Sequence, residues 1–172
     1  MNRCIIFDLD GTLINSIEDI ALATNRMREH YGLVPLPEKT VVGYVGHGIA
    51  RLAALAVADA PHINPEDATK EVLRAYRNDP VVHTTLYPGA ADGLRILKTA
   101  GFRLATASNK PDVLCVPILK TLGVLDLFDA IIGGGRAIAM KPAPDMLLYA
   151  LKEPGSDPAH SWMCGDSEPD MT

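Results

Sequence analysis

The chain is poor in the features that mark several common functions. Its three cysteines, Cys4, Cys115 and Cys164, show no C-x-x-C spacing, so the sequence offers neither a zinc site nor a disulfide framework. Cys4 and Cys164 sit in apolar, strand-like runs, where small buried thiols are expected. No basic cluster stands out, and 16 Lys and Arg against 21 Asp and Glu give a formal charge of −5; nucleic acid is a poor partner for such a surface. No apolar run is long enough to cross a bilayer, which argues against a membrane, and the first strand begins too early to leave room for a signal peptide. A reducing, cytoplasmic setting is expected. At 172 residues, 48% apolar and 22% charged, the composition is that of a globular domain with room for an inserted module.

The most informative stretch is Cys4-Ile-Ile-Phe-Asp-Leu-Asp-Gly-Thr-Leu13. Four apolar residues followed by carboxylates at i and i+2 predict a buried strand that runs out into a polar loop. Side chains two apart share a face of a strand, so Asp8 and Asp10 are placed to converge unless the turn diverts one. Two neighbouring carboxylates call for a cation, and oxygen ligands suit Mg²⁺. An EF-hand loop also opens D-x-D-G, but its required Gly and Glu are here Leu13 and Asp19. On this stretch alone an acidic turn and an active site are equal readings.

Downstream, Ser16-x-x-Asp19 has the form of a capping box. Ile17, Ile20, Ala21, Thr24, Met27 and Tyr31 mark a helix that Gly32 ends. Residues 38–79 read as short helices, one over Ile49–Ala58 and one capped by Asn64 with Pro65 in its first turn. The Gly43-Tyr-Val-Gly-His-Gly48 stretch between them is a loop or helix junction, since no strand feeds it. From Tyr87-Pro-Gly89 the pattern alternates: a helix with Leu94, Leu97 and Ala100 on one face, then a strand Phe102–Ala107 running into a Ser108-Asn-Lys-Pro111 turn. A helix interrupted by Pro117 follows, then a strand Ala130–Ile132 before Gly133-Gly-Gly135. Lys141-Pro-Ala-Pro144 precedes a helix through Met146, Leu147 and Leu151, and a last strand, Ser161–Cys164, delivers Gly165-Asp-Ser-Glu-Pro-Asp170. Alternation of this kind predicts an α/β fold with a doubly wound parallel sheet, interrupted by a helical block.

Three strand ends thus carry Asp8 and Asp10, Ser108 and Asn109, and Asp166 and Asp170, with Lys141 in a loop at the same predicted face. Acidic metal ligands, neutral donors and one fixed positive charge are the equipment for handling a phosphoryl group. Singly, each has a plainer reading as a turn, a cap or a solvated lysine.

On four motifs in order, Asp8-Leu-Asp-Gly-Thr12, Ser108-Asn109, Lys141-Pro142 and Gly165-Asp-Ser-x-x-Asp170, the chain resembles the haloacid dehalogenase superfamily of phosphohydrolases. Gly46-His-Gly48, Tyr87-Pro-Gly89, Ser108-Asn-Lys-Pro111 and Ile131-Ile-Gly-Gly134 make it most similar to phosphoglycolate phosphatase-like members. The resemblance implies a Rossmann-like core over residues 1–14 and 84–172, and a small α-helical cap over 15–83 that closes on substrate.

It implies that Asp8 is the nucleophile of an aspartyl-phosphate mechanism and Asp10 the general acid and base. Mg²⁺ would be held by Asp8, the main-chain carbonyl of Asp10 and Asp166, with Asp170 orienting metal waters or Lys141. Ser108 and the Asn109 backbone would bind phosphate oxygens, Lys141 would offset charge, and His47, Gly48 and Arg51 would read the organic part of a small phosphorylated metabolite, 2-phosphoglycolate being the best guess. A plain loop histidine is the competing reading of His47. A sugar-phosphate mutase, a pyrophosphatase and an impaired phosphate-binding protein are the alternatives; a monomer or homodimer is expected.

Asn15 and Ser108 depart mildly from the family pattern, where Asp and Thr are common, and Gly135 replaces a common acidic residue, from which a looser loop is expected. Relatives also continue past Asp170 through a helix, a further strand and a final helix. If the chain ends at Thr172, an exposed sheet edge, lower stability and strand exchange between chains are expected.

Overall fold

Strand and helix alternate along most of the chain in a computed structural model that describes residues 3–137 and 139–171. In order, the elements are β1 (Cys4–Phe7), β2 (Ile14–Asn15), α1 (Ile17–His30), α2 (Glu38–Val42), α3 (Ile49–Ala56), α4 (Pro65–Asn78), β3 (Thr85–Leu86) and α5 (Ala90–Thr99). There follow β4 (Arg103–Pro111), α6 (Asp112–Thr121), β5 (Ala130–Gly134), α7 (Asp145–Lys152), β6 (Ser161–Cys164) and α8 (Glu168–Met171). The backbone divides into two compact units, Met1–Asn15 with Thr85–Thr172, and Ser16–Thr84. Among the described residues no helix is long and apolar enough to cross a membrane.

The first unit is an α/β layer structure. Its sheet has the order β5-β4-β1-β6, all parallel, with Phe7 at the end of β1 level with Thr106 and Cys164. The chain steps outward from β1 to β4 and β5, then returns past β1 to β6. Right-handed crossovers taken in opposite directions place α6 and α7 on opposite faces. The reversal lies between β1 and β6, and ligands of open α/β sheets bind beyond the carboxyl ends at such a point. Under α7 the alternate residues Cys4, Ile6, Ala105, Ala107, Ala130 and Ile132 pack against Met146, Ala150 and Leu151. Small alanines on β4 let the helix lie close to the sheet while Met146 fills the remaining space.

Strand β4 pairs with β1 only over Arg103–Thr106 and then continues, so Ser108, Asn109 and Lys110 stand beyond the end of β1. The sequence pattern predicts a strand ending at Ala107 and a turn at Ser108–Pro111, whereas the strand runs on to Pro111. Pairing with β5 instead resumes at Pro111 opposite Gly134 after a shift in register. Such an irregularity re-aims side chains while the strand persists.

Pro117 does not interrupt its helix: α6 runs through it. The carbonyl that loses its i+4 donor belongs to Val113, a residue in the first turn of α6 that is 49% exposed. Ala100, expected on the inner face of α5, is exposed. Cys164 is exposed as well, unlike Cys4, because β6 is an edge strand and its thiol lines an open groove with Phe7, Leu13, Leu94 and Leu97.

The second unit packs α1 against α2, α3 and α4, and α3 against α4, around Ile20, Met27, Val41, Leu52, Ala53, Ala56, Val72 and Tyr76. Asn64 caps α4 as its sequence implied, its side chain accepting the Glu66 N–H at 2.8 Å. Buried Arg28 locks the unit with a two-pronged pair to Asp59 at 2.9 and 2.8 Å and further bonds to the carbonyls of Ala56 and Val34.

The capping box at Ser16 is not formed, since Ser16 makes no side-chain cap bond. Asp19 accepts instead from the backbone N–H groups of Val82, His83 and Thr84 at 2.8–3.1 Å and from the Thr84 hydroxyl at 2.5 Å. Several charge-assisted donors outbid one N-terminal amide.

Burial alone would raise the Asp19 carboxyl, but the Thr84 hydroxyl and the three amides outweigh it and hold the pKa below the ordinary value. A depressed carboxylate contributes stability in full above the unfolded value of about 3.9. That contribution is lost as pH falls through the lower folded value, where the unfolded chain has already bound its proton. Asp19→Ala is expected to lower stability by about 2–4 kcal/mol near neutrality. The gap to the parent should shrink in acid melts below pH of about 4, and a gap independent of pH there would contradict it.

Candidate active site

Asp8 follows directly on β1 and donates its N–H to the Cys164 carbonyl at 2.9 Å, which fixes it between the carboxyl ends of β1 and β6. It is only 7% exposed. Beyond β6 come Asp166 in the loop and Asp170 in the first turn of α8. One carboxylate oxygen from each of Asp8, Asp166 and Asp170 lies within 4.8 Å of the others.

Two glycines permit this approach. Gly11 has φ +90°, and a Cβ there would stand 2.3 Å from Asp166 Oδ2; a Cβ on Gly165 would stand 2.2 Å from Asp170 Cγ. The Thr12 hydroxyl donates to Asp166 Oδ1 at 2.6 Å. The Ser167 N–H and hydroxyl donate to Asp170 Oδ2 at 3.0 and 2.6 Å.

Lys141, in the loop before α7, is buried rather than solvated. Its Nζ is 2.5 Å from Asp170 Oδ1 and 3.1 Å from Asp8 Oδ1. Its position is set through its backbone: the Asn109 side chain donates to the Lys141 carbonyl and accepts its N–H, both at 3.0 Å. Asn109 therefore serves Lys141 with its side chain, a use the sequence did not suggest. Ser108 is buried, and its hydroxyl bonds the Asp8 carboxylate.

Asp10 has turned away from Asp8's neighbours. Its carboxylate meets Lys110 Nζ at 2.9 and 3.2 Å, and its side chain is not among the three that converge. The two carboxylates of the D-x-D thus have separate cations. Lys110 was not singled out from the sequence, where it read as one residue of a turn; the signal was the need of a second carboxylate for a second positive charge.

Burial raises the pKa of Asp8, with Lys141 and Ser108 pulling it down and Asp10 pushing it up. For Asp170 burial is outweighed by Lys141 and Ser167, and its carboxyl is held below the ordinary range. The Asp8 Oδ1 atom is buried without a hydrogen-bond partner, since Lys141 meets it at ion-pair distance but not in hydrogen-bond geometry. Three converging carboxylates, two of them against the Lys141 ammonium and one with a buried oxygen that lacks a hydrogen-bond partner, form an all-oxygen donor set that fits a hard divalent cation. The set can also present a carboxylate oxygen to an electrophile beside a fixed positive charge.

Of the remaining sequence candidates, His47 is exposed in a turn, Gly48 is the N-cap of α3 with φ +84°, and Arg51 is exposed on α3. All three belong to the second unit.

The sequence profile of haloacid dehalogenase-like hydrolases matches residues 5–172. The chain belongs to this family. Among curated relatives, a phosphoglycolate phosphatase of Chromobacterium violaceum is 38% identical over 98% of this chain and 78% of its own length. A phosphoglycolate phosphatase of Aquifex aeolicus is 36% identical, again over 98% and 78%. A solved structure from Haemophilus somnus, described as a predicted phosphoglycolate phosphatase, superposes with a TM-score of 0.90 at 30% identity, over 98% of this chain and 79% of that one. This haloacid dehalogenase-like hydrolase is a phosphatase, and its parallel sheet with flanking helices is the fold its motifs implied.

Proposed function

We propose that the chain is a Mg²⁺-dependent phosphomonoesterase that works through an aspartyl-phosphate on Asp8, with 2-phosphoglycolate as its substrate. The observation that carries this reading is the buried Asp8, with Lys141 at 3.1 Å and an orphaned oxygen among three converging carboxylates. Asp8 attacks phosphorus, and the bond to the alcohol oxygen breaks as Asp10 gives that oxygen its proton. Asp10 then takes a proton from the water that attacks the phospho-aspartate, and inorganic phosphate and free Asp8 result.

Ser108 and the Asn109 backbone hold phosphate oxygens, and Lys141 offsets charge on nucleophile and phosphate. Asp8, Asp166 and the main-chain carbonyl of Asp10 would hold Mg²⁺, with Asp170 beside them, and the ion supplies charge neutralisation between carboxylate and phosphate. The Ser16–Thr84 unit is read as the cap that excludes water, and His47, Gly48 and Arg51 as the residues that recognise the organic part of the substrate. The three free cysteines suit a reducing compartment, and the cytoplasm is the setting we assign.

Phosphate release from 2-phosphoglycolate and p-nitrophenyl phosphate is the test. Turnover is expected to fall by roughly 10²-fold in EDTA and to return with Mg²⁺, and 2-phosphoglycolate should have the higher kcat/KM. Metal-independent turnover would remove the cation from the mechanism. A requirement for a bisphosphate activator without net phosphate release would identify a mutase.

A further inference from the structure

The proposed chemistry assigns no task to the buried ammonium of Lys110. Lys110 is 6% exposed, and its Nζ lies 2.9 and 3.2 Å from the two oxygens of Asp10. A lysine is seldom buried without a reason, and this one stands on the segment of β4 where the register shifts. The same segment carries Ser108 and Asn109, which serve Asp8 and Lys141. The site therefore contains two cation–carboxylate sets: Lys141 with Asp8 and Asp170, and Lys110 with Asp10.

We propose that Lys110 is the positioning residue of the acid–base group: it holds the Asp10 carboxylate apart from the Asp8–Asp166–Asp170 cluster and turned to the leaving oxygen. Asp10 lies only two residues past Asp8, beyond the end of β1, so the positive charge at the cluster would draw its carboxylate in if Lys110 did not hold it. A carboxylate drawn there is lost to the leaving group and adds charge around the nucleophile. With Lys110 in place, one carboxylate attacks and the other attends to the alcohol. The inference rests on reading Asp10 as the group that protonates the leaving oxygen.

The test is the dependence of kcat/KM on the leaving alcohol, because this parameter reports the step in which Asp8 is phosphorylated. Phosphomonoesters of glycolate, phenol and p-nitrophenol are compared for the parent, Lys110→Met, Lys110→Gln and, as reference, Asp10→Ala. A poor leaving group needs its proton and p-nitrophenolate hardly does.

Asp10→Ala should lose roughly 10²–10³-fold on the alkyl ester and under about 10-fold on p-nitrophenyl phosphate. Lys110→Met should show the same slope in weaker form, about 10–50-fold against under about 3-fold, with Lys110→Gln, which keeps a donor for Asp10, between it and the parent. A uniform loss across the three esters in the Lys110 variants, beside a steep Asp10→Ala, overturns the assignment of Lys110 alone. A flat Asp10→Ala overturns the acid–base reading and the proposal with it. Melting curves accompany each variant, and loss of the folded state in both Lys110 variants would overturn the proposal by assigning the pair to the core.

Discussion

Asp8→Asn is expected to reduce phosphate release by about 10⁴-fold or more while leaving the fold in place. The amide has nearly the shape of the carboxylate but no nucleophilic oxygen anion, so no phospho-aspartate forms. The structural side of the expectation follows from burial. Asp8 is 7% exposed and has an oxygen without a hydrogen-bond partner, and its burial disfavours the ionised form. Removing that charge takes away a desolvation cost, and Lys141 keeps Asp170 at 2.5 Å. The melting temperature without metal should therefore stay within about 3 °C of the parent or rise slightly. Rapid-quench labelling with a ³²P-phosphoester should give an acid-stable, hydroxylamine-labile label on the parent and none on the variant. A variant that keeps a tenth of the activity would remove Asp8 from the nucleophile's place.

Lys141→Met makes a different demand. It removes an ammonium that meets both Asp8 and Asp170, with a carboxylate oxygen of Asp166 within 4.8 Å of theirs. Breaking a buried ion pair from one side leaves the other charge uncompensated, which costs about 3–5 kcal/mol. Turnover should fall by about 10³-fold, the usual loss for one preorganised electrostatic group. The two effects separate in a thermal melt with and without Mg²⁺. The variant should regain more of its melting temperature than the parent gains, because the added cation would meet a more strongly negative cluster. A variant that melts with the parent in metal-free buffer would show that the lysine is not compensating these carboxylates.

The architecture was legible because its signals are local. Apolar runs ending in Asp8 and Cys164 announce strands by length and composition, Asn64-Pro65 announces a helix start, and both depend on few distant contacts. Misreadings occurred where a distant partner outbid a local rule. Asp19 satisfies a capping pattern three residues from Ser16, yet its donors come from residues 82–84. Ser108–Pro111 has turn composition, yet β5 holds it in a strand. Pro117 is a helix breaker by local rule, yet α6 continues through it.

The structure brings the motif residues Asp8, Asp166, Asp170 and Lys141 together. The Lys110 pairing was hidden because no spacing rule links residues 10 and 110. Only the register of β4 against β1 brings them side by side.

The clasp between Asn109 and the backbone of Lys141 has a consequence for how such a protein changes over time. Two stretches of chain more than thirty positions apart behave as one mechanical part, so a substitution at 109 is felt as a displaced ammonium at 141. Variants at these two positions will not combine independently. A loop borrowed from a relative to replace residues 140–144 will carry its lysine to the right place only if the residue opposite it on β4 is borrowed as well.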